Sequence, residues 1–258
     1  MRKLLILLFS GLLLFTGCAT VEYTGRKRFI IISEEEEIGL GNEAYSEFIK
    51  DTTLSQDKEQ VDLLNRVGNR IAAAVDKPEF TWEFSLVDDP ETVNAFALPG
   101  GKVVFYSGIL PLCQNEEGIA VVMGHEAGHV IARHGAERIS QGMVTNLVGS
   151  ALAAAIAGKT PEAQIAILNG YGYAATVGVL LPFSRKHEYE ADYIGLILMA
   201  KAGYDPGAAV DFWKRMLEYS KGSVPEFFST HPNDENRINA MKQNLPEAMK
   251  YYEESMAR

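Results

Sequence analysis

Two cysteines in 258 residues are too few to build a disulfide scaffold. Cys18 closes a targeting segment, and once it is modified Cys113 is the one thiol left, so no intramolecular bridge can form. In its setting, Leu110-Pro111-Leu112-Cys113, that thiol reads as a small buried residue and not as a nucleophile. Positive charge is also short, with 24 Lys and Arg against 34 Asp and Glu and a net charge of −10. A body of that sign argues against nucleic acid as a partner and against attachment to anionic lipid by charge. No Pro-, Gly- or Ser-rich linker and no internal repeat divides the chain, so one domain is expected after the leader. Histidine is scarce, five residues in all, which makes its placement informative.

Residues 1–17 read as a leader outside the fold. Arg2 and Lys3 precede an apolar run, Leu4 to Phe15, too short for a permanent span. The run ends in Phe15-Thr16-Gly17-Cys18, which resembles a bacterial lipoprotein signal with Cys18 as the lipidated residue. An ordinary secretory signal is the alternative, and either way the domain is exported. Residues 18–32 are expected to be an exposed tether, and 33–258 a single domain.

The richest stretch is Gly124-His125-Glu126-Ala127-Gly128-His129. Residues four apart share a helix face, so His125 and His129 can converge on one ion while Glu126 reaches a water without ligating the metal. This is the H-E-x-x-H pattern of zinc peptidases, in which zinc acidifies a bound water and the glutamate takes its proton. The helix is expected from about Asn115 to about His134. A metzincin would place a third histidine six residues after the second; that position is Gly135, so His134 is expected to support or pack beside the site.

Around this helix the pattern is mixed. Ser33 with Glu36 forms a capping box for a helix running to about Lys50. A second helix covers roughly Asp57 to Val75, with Val61, Leu63, Leu64, Val67 and Ile71 at helical spacing. Strand signals follow at Trp82-Phe84-Leu86 and Lys102–Tyr106, with Asn94–Leu98 as a strand entering the turn at Pro99-Gly100-Gly101. Asn94, Ala95 and Phe96 are the candidate substrate edge, where an extended peptide could pair without demanding a sequence. Two apolar pieces, 143–158 and 163–181, suggest a helical hairpin packed on the body or covering a cleft, with contact with the membrane surface or a hydrophobic partner as the alternative.

Ser184–Asp192 opens a further helix ending at Gly203. Glu188 and Asp192 share a face, so Glu188 can be a third ligand while Asp192 fixes a ligand histidine; Glu190 is expected to face solvent. The set of His125-Glu126-x-x-His129, Asn94-Ala95-Phe96 with Pro99-Gly100-Gly101, and Glu188-Tyr189-Glu190-Ala191-Asp192 is similar to the HtpX and CAAX-prenyl-endopeptidase family of zinc metallopeptidases. It most resembles the family's soluble branch of exported bacterial lipoproteins, the BepA- and LoiP-like proteins, which Thr24-Gly25-Arg26-Lys27 and Ser33–Glu37 also match.

The resemblance implies an α+β, mainly helical zincin-like (gluzincin) domain with a small sheet beside the H-E-x-x-H helix. It implies one zinc held by His125, His129 and Glu188, Glu126 as base, and endoproteolysis of unfolded or misassembled envelope polypeptides in quality control. The protein would sit on the periplasmic face of the outer membrane, a sorting that Ala19 after Cys18 permits. His231 and Arg237, in Thr230-His231-Pro232 and Asn233–Arg237, read as surface residues by themselves; the resemblance moves both to the cleft as oxyanion stabilisers, or His231 to the metal as a fourth ligand. A zinc-stabilised chaperone or binding protein is the rival reading.

Overall fold

The computed structural model describes residues 18–175, 181–222, 225–231 and 235–257, so the leader at 1–17, residues 176–180 of the second apolar piece and Pro232-Asn233-Asp234 lie outside it. The described residues begin with a two-stranded antiparallel strap, β1 (Cys18–Thr20) and β2 (Lys27–Phe29). This is not the exposed tether its polar sequence suggests. Val21 and Ile30 are buried, the Arg28 guanidinium donates to the Ala132 carbonyl at 2.6 Å, and the Ile31 N–H donates to Ser140 Oγ.

The next helices follow local rules. In α1 (Glu34–Lys50) the Ser33 hydroxyl accepts from the Glu36 N–H and the Glu36 carboxylate accepts from the Ser33 N–H, closing two orphan donors reciprocally. The carboxylate of Asp57 does the same work for α2 (Lys58–Ala73), whose Leu64, Val67 and Ile71 face inward. The sheet comprises β3 (Glu83–Val87), β4 (Ala95–Leu98) and β5 (Lys102–Tyr106) in the order β3-β5-β4, with β3 parallel and β4 antiparallel to the central β5. Gly100 and Gly101 turn β4 into β5 at φ of 85° and 89°, a region that side chains strain to enter. The order leaves β4 at the edge.

A short α3 (Leu110–Cys113) leads to α4 (Glu116–Ile131), capped by Asn115, whose side-chain oxygen accepts from the Gly118 N–H. Every residue from Gly118 to Ile131 is buried, which explains why α4 shows almost no amphipathic stripe. The helix stops earlier than its apolar run implies, because Arg133 turns left-handed at φ 56°. His134 therefore opens the next helix, α5 (His134–Ala155), instead of ending α4. The remaining elements are α6 (Pro161–Ala175), α7 (Leu181–Lys201), α8 (Ala208–Ser220), α9 (Glu226–Thr230) and α10 (Glu235–Met256).

One apolar cluster joins α2, the sheet, α4, α7, α8 and α10, from Leu64 and Phe105 through Val122 and Leu198 to Trp213 and Met241. Within it α4 and α7 pack at backbone contact. A Cβ on Gly195 would lie 2.9 Å from the Gly124 carbonyl carbon, and one on Gly128 would lie 2.7 Å from the Ala191 carbonyl oxygen. The hairpin α5–α6 forms as the apolar pieces imply, and Tyr171 Oη donates to the Thr145 carbonyl across it. Its buried α5 residues, however, are His134, Ala136, Glu137 and Ser140 in the first two turns, while Met143, Val144, Leu147 and Val148 are exposed. Among the described residues no helix is long and apolar enough to cross a membrane.

Candidate metal centre

The close crossing of α4 and α7 decides the site, because it carries Glu188 onto the face of α4 that holds His125 and His129. The two Nε2 atoms lie 3.2 Å apart, and each is 3.4 Å from an oxygen of Glu188. His231, at the end of α9, brings its Nδ1 to 3.1 Å from His125 Nε2 and 3.2 Å from Glu188 Oε2. Its ring lies against Phe227 at 4.4 Å, and its own N–H donates to the Phe227 carbonyl. One donor atom from each of His125, His129, Glu188 and His231 falls within 4.8 Å of the others. Tetrahedral zinc with bonds of about 2.0–2.1 Å separates its ligand atoms by roughly 3.3 Å, so this donor set fits that ion.

Glu126 projects to the same place. Its Oε1 is buried, accepts no hydrogen bond and lies 3.4 Å from His231 Nε2. Burial pushes its carboxyl above the usual range, against the pull of His231 and His125. Burial also pushes Glu188 up, but His129, His125 and His231 outweigh it and hold that carboxyl well below the ordinary value. The two glutamates are thus separated in role by their neighbours, one a persistent anion among imidazoles and the other able to take up a proton.

Each histidine of α4 is held from behind. His125 Nδ1 faces Asp192 Oδ1 at 2.9 Å, so its Nε2 carries the lone pair towards the cluster. Asp192 in turn accepts two hydrogen bonds of 2.8 Å from Arg237, which also reaches Glu188 and lies over the Trp213 ring at 4.2 Å. Arg237 is therefore buried, with its guanidinium engaged by Asp192 and Glu188.

His134 touches His129, Nδ1 to Nδ1 at 2.8 Å, as a supporting residue would. The sequence reading missed what lies beyond it. Glu190 does not face solvent: it is buried and takes up His134 Nε2 at 2.9 Å, Arg26 Nε at 2.8 Å and the Thr24 hydroxyl. His187 faces Glu137 Oε2 at 3.0 Å and stacks on His134 at 4.1 Å. A signal existed in two His-x-x-Glu pairs, His134/Glu137 on α5 and His187/Glu190 on α7, each presenting both groups on one face. The pairs meet crosswise, each histidine on the other's glutamate.

On the sheet side, Asn94 and Ala95 are buried, and Asn94 Oδ1 accepts from the Ala95 N–H. Phe96 meets Phe48 edge to face at 5.2 Å. The backbone N–H of Ala97 lies close enough to Glu126 to favour its charged form, which sets edge strand β4 beside the cluster. Cys113 is fully buried and pushed up to about 12, the inert thiol expected.

Histidines four apart on a buried helix, with a carboxylate from the crossing helix and a small sheet alongside, define a zincin-like domain. Residues 58–245 match the model of peptidase family M48, and the chain belongs to that family. It is 39% identical over 244 residues to the mitochondrial metalloendopeptidase OMA1 of Schizosaccharomyces pombe, covering 93% of this chain and 70% of that one. To the Saccharomyces cerevisiae protein of the same name it is 37% identical, over 98% of this chain and 77% of the relative. The beta-barrel assembly-enhancing protease of Escherichia coli is 30% identical over 80% of this chain, which spans 43% of that relative. The protein is accordingly a zinc-dependent metalloendopeptidase. Its relatives thus include both mitochondrial and bacterial enzymes.

Proposed function

We propose that His125, His129 and Glu188 hold the zinc, that Glu126 is the proton acceptor and donor, and that the enzyme cleaves extended polypeptide segments lying along β4. The observation that carries this is the buried Oε1 of Glu126 beside the donor cluster, which accepts no hydrogen bond, since such an oxygen is costly unless a water or reacting group meets it. Bound zinc supplies Lewis-acid polarisation of a carbonyl and of water. Glu126, its pKa raised by burial, takes a proton from the attacking water and returns it to the departing amine. Asp192 and Arg237 hold His125 in the tautomer that leaves Nε2 free. The edge strand from Ala95 to Leu98 takes the substrate alongside it, with Asn94 and Phe96 fixing the strand's position.

His231 Nδ1 stands among the donors, where it would serve as a fourth ligand and keep the enzyme latent. Turned away from the cluster, its ring would be free to stabilise the oxyanion. Four protein ligands are also what a zinc-stabilised chaperone would use, and the retained Glu126 favours the peptidase. The substrates are unfolded or misassembled envelope polypeptides and the anchor is lipid on Cys18. The Phe15–Cys18 signal and the bacterial relative's name support that reading.

Cleavage of unfolded casein by the purified protein is expected to fall at least a thousandfold in Glu126→Gln with zinc content unchanged. Equal cleavage would remove Glu126 from the reaction. His231→Ala is expected to raise cleavage if latency dominates and to lower it if oxyanion stabilisation does. Loss of lipid labelling in Cys18→Ser would support the anchor, and an unlabelled wild type would refute it.

A further inference from the structure

The cluster behind His129 contains two glutamates and two histidines, a donor set that elsewhere could take a metal. Here its positive charge comes from the strap. The Arg26 guanidinium forks to both carboxylates, with Nη1 and Nη2 on Glu137 at 2.9 and 2.7 Å and Nε on Glu190 at 2.8 Å. From there the hydrogen bonds run in one direction. Glu190, an acceptor, takes the Nε2–H of His134. That leaves His134 Nδ1 as an acceptor, which takes the Nδ1–H of His129. With its Nδ1 protonated, His129 can offer only Nε2 to the cluster, and that is the atom facing His125 and Glu188. Every group in the path except the half-buried Arg26 is buried.

We propose that Arg26 is a positioning residue for the zinc centre, fixing the tautomer and orientation of His129 through Glu190 and His134, so that the N-terminal strap and the metal are energetically coupled. The inference rests on the reading of His129 as a zinc ligand. It parallels the support of His125 by Asp192 and Arg237, but its anchor comes from the other end of the chain and lies more than a hundred residues away in sequence. Coupling is reciprocal: whatever the strap adds to zinc affinity, zinc must add to the stability of the docked strap.

The test measures zinc affinity of the purified protein by competition with a chelator, and amide exchange at residues 20–29 with and without zinc. Arg26→Gln and His134→Phe are each expected to weaken zinc about tenfold, the low end for residues behind metal ligands. Together they should cost little more than either alone, because they lie on one path. Arg26→Lys should recover part of the loss. Arg28→Gln, on the same strap but bonded to the Ala132 carbonyl, should leave zinc affinity unchanged even where it lowers the unfolding temperature. Zinc should slow exchange of the strap in the wild type and not in His134→Phe. Should Arg26→Gln fail to fold, the exchange comparison in wild type and His134→Phe decides. Zinc affinity within twofold of wild type in Arg26→Gln, additive losses, or strap exchange indifferent to zinc would overturn the inference. His129→Ala separates the two levels: full zinc occupancy there would sink the ligand assignment, whereas zinc loss there with an unaffected Arg26→Gln would sink the coupling alone.

Discussion

The helix pair α5–α6 is richer in glycine and alanine and poorer in charge than α4–α7, yet α4–α7 is the centre of the molecule and α5–α6 carries exposed apolar side chains. In α4–α7 the glycines face each other, and the gap they remove is what brings Glu188 against His125 and His129. In α5–α6 a Cβ added at Gly142 or Gly170 would meet nothing within 4 Å, and Leu147 is 71% exposed. Burial follows from what a residue faces and not from its hydropathy. A buried pair can even carry carboxylates, provided each meets a cation or an imidazole, as Glu188, Glu190 and Asp192 do.

Breaking the close pair should have the largest effect. Gly195→Val sets new carbons against the backbone of Gly124 and His125, and is expected to cost about 3 kcal/mol or more in denaturant unfolding while displacing Glu188 and releasing zinc. If the variant unfolds at the wild-type midpoint, the crossing is not tight in solution. A smaller effect is expected from Asp192→Asn, which weakens the hold on His125 and the Arg237 ion pair; zinc affinity should drop about 10- to 100-fold by chelator competition.

The junction between the two pairs can be probed by acid. Burial works against ionised Glu137, but Arg26 and His187 outweigh it and hold the carboxyl at about 2. A folded value below the ordinary 4.5 means that its stabilisation is complete above about pH 4.5 and is lost as pH falls towards 2. Thermal unfolding between those limits should therefore be steeper in wild type than in Glu137→Gln, which starts lower at neutral pH. Parallel curves would show that the Arg26 fork contributes nothing. The smallest effect belongs to the exposed pair: Leu147→Lys should move stability by no more than about 0.5 kcal/mol, and a larger loss would reveal packing around that helix.

Much of the site was legible because its spacing is local. His125, Glu126 and His129 are fixed relative to one another by a single helix, as are Glu188 and Asp192. The capping box at Ser33 and the turn at Gly100-Gly101 are likewise short-range, and each formed where its residues implied. Glu190 misled because two residues along a helix points nearly to the opposite side from Glu188. That side would be solvent on a surface helix, but here α5 and the strap cover it. The strap misled for the same reason, since the carboxylates that hold Arg26 and the carbonyl that holds Arg28 lie on helices distant in sequence.

By itself, then, the sequence determined the helices, the turn, the metal-binding pattern and the class of chemistry, since hydrogen bonding and side-chain periodicity act over a few residues. Tertiary structure alone decided that all five histidines gather in one region, that His231 joins the donors, and that Arg26 and Arg237 close in behind from opposite ends of the chain. Those pairings are set by which helix faces meet at backbone contact and which buried charges must find partners there, and neither is written in any short stretch of the chain.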